Sequence, residues 1–195
     1  MTNIYSELAG LSPEEQDKKM IEYYLNKYIP PRYKDCSKQE LPPSIKEKIN
    51  QAFEEKKGIF LTGQAGTGKT YIMYCILKEL IKTREEDFTF IDMPWLSILL
   101  KSYVKKDTDP VDNIKEYTSP KYLFLDDLGV EKMTDFLFES FYTIIDIRYC
   151  HLKPCFISSN YSLKEISENI NDRIASRIAE MCIIIKLEGE DKRIK

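Results

Sequence analysis

The stretch GQAGTGKT, residues 63 to 70, fits the pattern G-x-x-x-x-G-K-[ST], and each fixed position has a chemical reason. Gly63, Gly66 and Gly68 let the backbone curl around an oxyanion with successive N–H groups pointing inward, at the positive end of a following helix. Lys69 reaches the β- and γ-phosphates of ATP, and Thr70 supplies an oxygen to Mg²⁺. With Gln64, Ala65 and Thr67 inside the loop and Tyr71 just after it, residues 63 to 71 form the expected nucleotide-contacting run. The alternative is a glycine-rich turn that holds nothing. A chance match arises in only roughly a few chains per thousand, and this one has the required context between a strand-like and a helix-like segment.

A second group sits in YLFLDDLG. Four apolar positions followed by Asp126 and Asp127 are what a dry strand needs to deliver carboxylates beside phosphates, Asp126 holding Mg²⁺ directly or through water and Asp127 polarising the attacking water. Alone, such a strand end is common in buried sheets. Asn160, closing FISSN, could orient water near the γ-phosphate, or simply be a turn residue. Arg173 and Arg177, four apart in NDRIASRI, project from nearly one helix face, about 40° apart around the axis. In a monomer that pair reads as surface charge or as an anchor for an acid.

These residues need elements to position them. From Ser12 to Tyr28 a cap residue, a proline and early acids precede apolar residues at helical spacing, so a leading helix is expected. Its apolar face fits two roles: binding a partner, or covering this protein's own sheet. The two Pro-Pro pairs of IPPRYKDCSKQELPPSI mark a linker, which places a boundary between residues 1–42 and an ATPase domain at 43–195. Beyond it strands are expected at 58–62, 88–93, 122–127, 154–160 and 182–187, with helices at 68–82, 94–106 and 133–149, one or two short helices over 162–178, and a polar loop over 107–117. Strands that read as continuous apolar runs and alternate with helices predict an α/β fold with a five-stranded parallel sheet covered on both faces.

The whole chain sets bounds. A length of 195 residues, with 43% hydrophobic and 31% charged residues, suits one compact domain with a short appendage. No apolar run is long enough to span a membrane, and the N-terminus lacks the order of a signal peptide, so a cytoplasmic protein with no membrane partner is expected. A net charge of −3 argues against a generally basic nucleic-acid binder and leaves a local basic patch open. The five cysteines never form a CxxC pair and read as reduced thiols. Cys150, His151 and Cys155 are half a zinc site without a second pair.

The order P-loop, FLDD, SSN and DRIASRI resembles the DnaC/IstB-like branch of the AAA+ ATPases, which includes helicase loaders and transposition helpers. The likeness extends through YIPPRY, DDLGVEKMTDF, IIDIRY and SRIAEMCIIIKLEGEDKR, from about Ile29 onward. It implies a P-loop NTPase of AAA+ type in which Asp126 and Asp127 are the Walker B pair and Asn160 is the sensor-1 residue. It also implies that Arg177 is an arginine finger reaching the ATP of an adjacent subunit in an ATP-bound self-oligomer. Arg173 is a plausible interface residue, Arg148 matches a family position of unassigned role, and Arg193 matches a remnant of the sensor-2 arginine. The chain ends two residues later, so a truncated or absent lid is expected.

What the resemblance implies for function is ATP hydrolysis coupled to loading or remodelling of a replicative helicase on single-stranded DNA. For the DNA, Trp95, Lys101, Tyr103, Lys105 and Lys106 offer rings and cations, or merely a solvated helix end. The alternatives are a transposition helper with the same core and a P-loop kinase, for which a sensor Asn followed by an Arg pair has no use. A binding module without hydrolysis would not need Asp127.

Overall fold

The computed structural model describes residue 4, residues 8–104, 110–130 and 133–193. Helix α1 (Pro13–Tyr28) starts at a capping box: Ser12 Oγ accepts from the Glu15 N–H, and the Glu15 carboxylate accepts from the Ser12 N–H. Two short 3₁₀ turns, Pro31–Tyr33 and Lys38–Glu40, lead to α2 (Pro43–Glu54). There follow β1 (Gly58–Thr62), α3 (Lys69–Lys82), β2 (Phe88–Asp92), α4 (Met93–Val104) and α5 (Pro110–Thr118). The chain continues through β3 (Tyr122–Leu128), α6 (Asp135–Cys150), β4 (Cys155–Ser159), α7 (Leu163–Asn169), α8 (Asp172–Met181) and β5 (Cys182–Lys186).

The five strands form one parallel sheet in the order β2-β3-β4-β1-β5. Every residue of β1 and β4 is buried, as expected of central strands covered on both faces. Alternate side chains go to opposite cores. Phe60, Leu123, Leu125 and Ile157 meet helices α4 to α8 on one face; Ile59, Leu61, Phe124 and Phe156 meet α1, α2 and α3 on the other. On that second face Tyr33, Tyr74, Phe90, Phe124 and Phe156 form a column of near-parallel rings, with successive centroids 4.5, 4.6, 5.6 and 4.6 Å apart.

Two expectations change. The polar stretch 107–117 is not all loop: α5 occupies Pro110–Thr118, because fully buried Tyr117 and half-buried Ile114 join the first core and tertiary packing outweighs local polarity. The N-terminal segment lies on the sheet. Ile21, Tyr24, Leu25 and Tyr28 of α1 pack on the second core, Tyr28 edge-on to Phe88 at 4.9 Å, and Ile29, Cys36 and Leu41 of the Pro-rich stretch are buried there. Of the two roles for the leading helix, its apolar face covers this protein's own sheet.

Candidate active site

Parallel strands place all their C-terminal ends along one edge, and the candidate residues lie at the ends of three neighbours. The glycine loop follows β1, Asn160 follows β4, and Asp126 and Asp127 close β3. The loop geometry is built by glycine: Gly66 has φ +76° and Gly68, the N-cap of α3, has φ +101°. At Gly66 a Cβ would also fall within 1.8 Å of an Asp191 carboxylate oxygen.

Lys69 is buried, and its ammonium donates to Gly63 O (2.7 Å), Gln64 O (2.9 Å) and Asn160 Oδ1 (2.7 Å). Burial holds its pKa below the ordinary lysine value, against the opposing pull of Asp127 and Asp126. Thr70 Oγ1 donates to Asp126 Oδ1 at 3.3 Å, and Ser158 Oγ donates to the same oxygen in a short bond. Burial pushes the Asp126 carboxyl up from its ordinary value, and the Ser158 bond works the other way. Asp127 takes φ +59°. The structure therefore makes two hydrogen-bonded pairs at neighbouring strand ends, Lys69 with Asn160 and Thr70 with Asp126, with Asp127 next to Asp126.

Gly66, Thr67, Gly68, Lys69, Thr70 and Tyr71 line one side of a pocket of about 560 Å³. Apart from Arg193, the other walls are residues that motif reading did not single out. Tyr33, Leu41, Pro42 and Ile45 come from the stretch before β1, and Leu187, Lys192 and Arg193 from the chain after β5. Tyr71 Oη donates to Glu40 Oε2 at 3.1 Å, which joins α3 to the Pro-rich stretch. The C-terminal stretch is anchored by Leu187 N–H on Thr62 O (2.7 Å) and Lys192 N–H on Gly66 O (3.2 Å), so Arg193 stands at the nucleotide loop. Apolar and aromatic walls beside an anion loop suit a nucleotide base next to its phosphates. YIPPRY and GEDKR were the only sequence signals for these walls.

The arginine pair lies elsewhere. Neither Arg173 nor Arg177 lines this pocket; Arg177 packs on α6, its guanidinium paired with Asp146 and lying 4.9 Å from the Tyr142 ring and 5.6 Å from the Tyr149 ring. Arg148 is fully buried. Its Nη1 donates to Tyr117 O and Pro120 O, its Nη2 to Lys121 O and Pro154 O, and its Nε to Cys155 Sγ. Five donors thus tie the chain entering β3 to the chain entering β4, a structural staple at the far end of the strands that carry Asp126 and Asn160. On α4, Trp95 is 52% exposed and Lys101 is exposed, whereas Lys105, Lys106 and the Tyr103 side chain lie outside the described residues. Among the described residues no acid, cysteine and histidine cluster could hold a metal by itself, and no helix is long and apolar enough to cross a membrane.

The family model for IstB-like ATP-binding proteins matches residues 40–195, the span that contains the glycine loop, Asp126, Asp127 and Asn160. The chain belongs to that family. This IstB-like protein is similar to YqaM of Bacillus subtilis (30% identity over 146 residues, 70% of this chain and 45% of YqaM). It is also similar to the replicative helicase loader DnaI of the same organism (29% over 152 residues, 70% of this chain and 48% of DnaI). It thus spans about half the length of these relatives. Among solved structures, the DnaC helicase loader superposes with a TM-score of 0.69 at 25% identity, over 82% of this chain and all of that one. The IstB-like chain is an ATP-binding protein of the AAA+ fold, and its sheet and glycine loop are those expected from the sequence.

Proposed function

We propose that this chain is a helicase-loader ATPase: it binds ATP with Mg²⁺, hydrolyses it in an oligomer, and uses the cycle to load or remodel a replicative helicase on single-stranded DNA. The observation that supports this best is the Lys69–Asn160 hydrogen bond beside the Thr70–Asp126 pair. The two pairs set the phosphate-binding lysine, the water-orienting amide and the acid along one sheet edge. ATP phosphates would take over the ammonium that Gly63, Gln64 and Asn160 hold. The amide freed from Lys69 would then bind the attacking water, and Asp127 would polarise it. The bond that forms is water oxygen to γ-phosphorus, and the bond that breaks joins that phosphorus to the β–γ bridging oxygen.

Thr70 Oγ1 and Asp126 Oδ1, two hard oxygens 3.3 Å apart, fit Mg²⁺ and would be the side chains that hold it. A Mg²⁺ held by these residues would supply neutralisation of phosphate charge. Asp127, Asn160 and, from a neighbouring copy, Arg177 are the catalytic groups of this reading. The loader assignment follows the DnaI and DnaC likeness; the likeness to an insertion-sequence ATP-binding protein keeps a transposition helper as the second reading. ATPase assays with and without single-stranded DNA, together with capture of partners from native cells, test it. Recovery of a replicative helicase supports the loader; recovery of a transposase without helicase replaces it by the second reading.

A further inference from the structure

The β3–β4 ladder is broken where the acids sit. Leu125 pairs with Ile157 and the ladder resumes at Leu128 with Ser159, so three steps on β3 face two on β4 and one residue is extra. The bulge holds Asp127 at φ +59°, a conformation that an aspartate tolerates but does not prefer. Something must hold it. Ser158, fully buried on β4, lies opposite: its Oγ accepts from the Asp127 N–H at 3.0 Å and donates to Asp126 Oδ1. Its neighbour Ser159, also fully buried, donates to Leu128 O at 2.6 Å and accepts from the Tyr161 N–H at 3.0 Å, pinning the chain just past the bulge.

We propose that Ser158 is a positioning residue for both acids: one hydroxyl aims the Asp126 carboxylate at Thr70 and holds the bulge that carries Asp127. This rests on the ATPase reading above. The donor and acceptor functions are both needed. An alanine would leave the Asp127 N–H without its acceptor and remove one of the two hydroxyls that orient the Asp126 carboxylate. In so buried a site water is a poor replacement. A threonine keeps the hydroxyl; a cysteine keeps the size and loses most of the hydrogen bonding.

The test is a titration of full-length protein with mant-ATP, in Mg²⁺ and in EDTA, beside steady-state hydrolysis at saturating Mg²⁺. S158A and S158C should bind mant-ATP in EDTA as wild type does, yet lose roughly ten- to a hundredfold of the Mg²⁺-dependent gain in affinity, as removal of an outer-shell partner typically does. Their kcat should fall by a similar factor and KM for MgATP should rise with the lost affinity, and S158T should retain both properties. If S158A does not fold, the near-isosteric S158C carries the same comparison. A Mg²⁺-dependent gain and kcat equal to wild type in folded S158A or S158C would overturn the inference and leave the ATPase reading standing. Wild-type protein that binds no mant-ATP would overturn both.

Discussion

Arg177 and Asp146 are tied together within one chain: the guanidinium pairs with the α6 carboxylate and lies against the Tyr142 and Tyr149 rings, yet its buried Nε has no hydrogen-bond partner. An arginine acting on a neighbour's ATP would exchange Asp146 for phosphate. R177A is expected to bind ATP normally and to hydrolyse about 10³- to 10⁵-fold more slowly. Because a finger works in trans, mixing R177A with K69A should restore part of the activity. Each mixed interface that sets an intact loop against an intact Arg177 is complete. Mixtures no more active than the sum of their parts would rule out the trans role.

Lys69 and Asn160 are bonded to each other but should fail differently. K69A is expected to abolish ATP binding by calorimetry, since the ammonium is held inside the glycine loop by Gly63 O and Gln64 O. N160A should bind within a few-fold of wild type and hydrolyse on the order of 10²-fold more slowly, the lower end of what a positioned proton-transfer or water-orienting group supplies. Equal binding losses in the two variants would contradict these roles.

Arg148 is expected to matter for stability rather than for chemistry. R148A would leave four backbone carbonyls short of a donor in a buried site, and a loss of about 3 to 5 kcal/mol in urea unfolding is expected. R148K, with one cationic centre in place of a fork, should recover only part of it.

The buried thiols set an alkaline limit. Burial pushes the Cys182 thiol well above its ordinary value, with Cys155 adding to the rise. In the unfolded chain that thiol ionises near its ordinary value, while the native state keeps the proton. The native state then binds more protons, so stability present below the unfolded pKa is lost as pH rises through and beyond it. C182A should lower Tm at pH 7 through its small cavity, and lose less Tm than wild type between pH 7 and pH 10. Cys150 is the single exposed thiol among the five, so native protein should react quickly with one equivalent of a thiol reagent, and C150S with none.

Gly66 is constrained twice, by φ +76° and by Asp191 against its α-carbon. G66A should displace the C-terminal stretch from the loop and weaken ATP binding by more than tenfold. The double variant G66A/D191A should recover only the part due to the clash, because an alanine in that backbone region still carries about 1 kcal/mol or more of strain.

Much of this could be read along the chain. GIFLT, YLFLDD, PCFISSN and CIIIKL each became a strand within a residue or two of the expected bounds, because a strand buried on both faces must be apolar throughout. The glycine loop was equally local: its spacing is its mechanism. Helix α5 was not legible, since the force that makes 110–118 helical is Tyr117 entering a core built by distant elements. Nor was α2 marked, although Pro43 with Ile45, Ile49 and Ala52 carries a helical start and spacing.

By itself the sequence determined the alternation of strands and helices, the phosphate loop and the identity of the acids, because those depend on residue type and short-range spacing. Only the tertiary structure decided what meets across the strands. It put the Asn160 amide on the Lys69 ammonium and the Ser158 hydroxyl between the two acids. It sank Arg148 into a cage of carbonyls, and it turned Arg177 away from its own loop toward Asp146. Most of these contacts join residues 27 to 91 positions apart, where strand order and register, and no local pattern, set the distance.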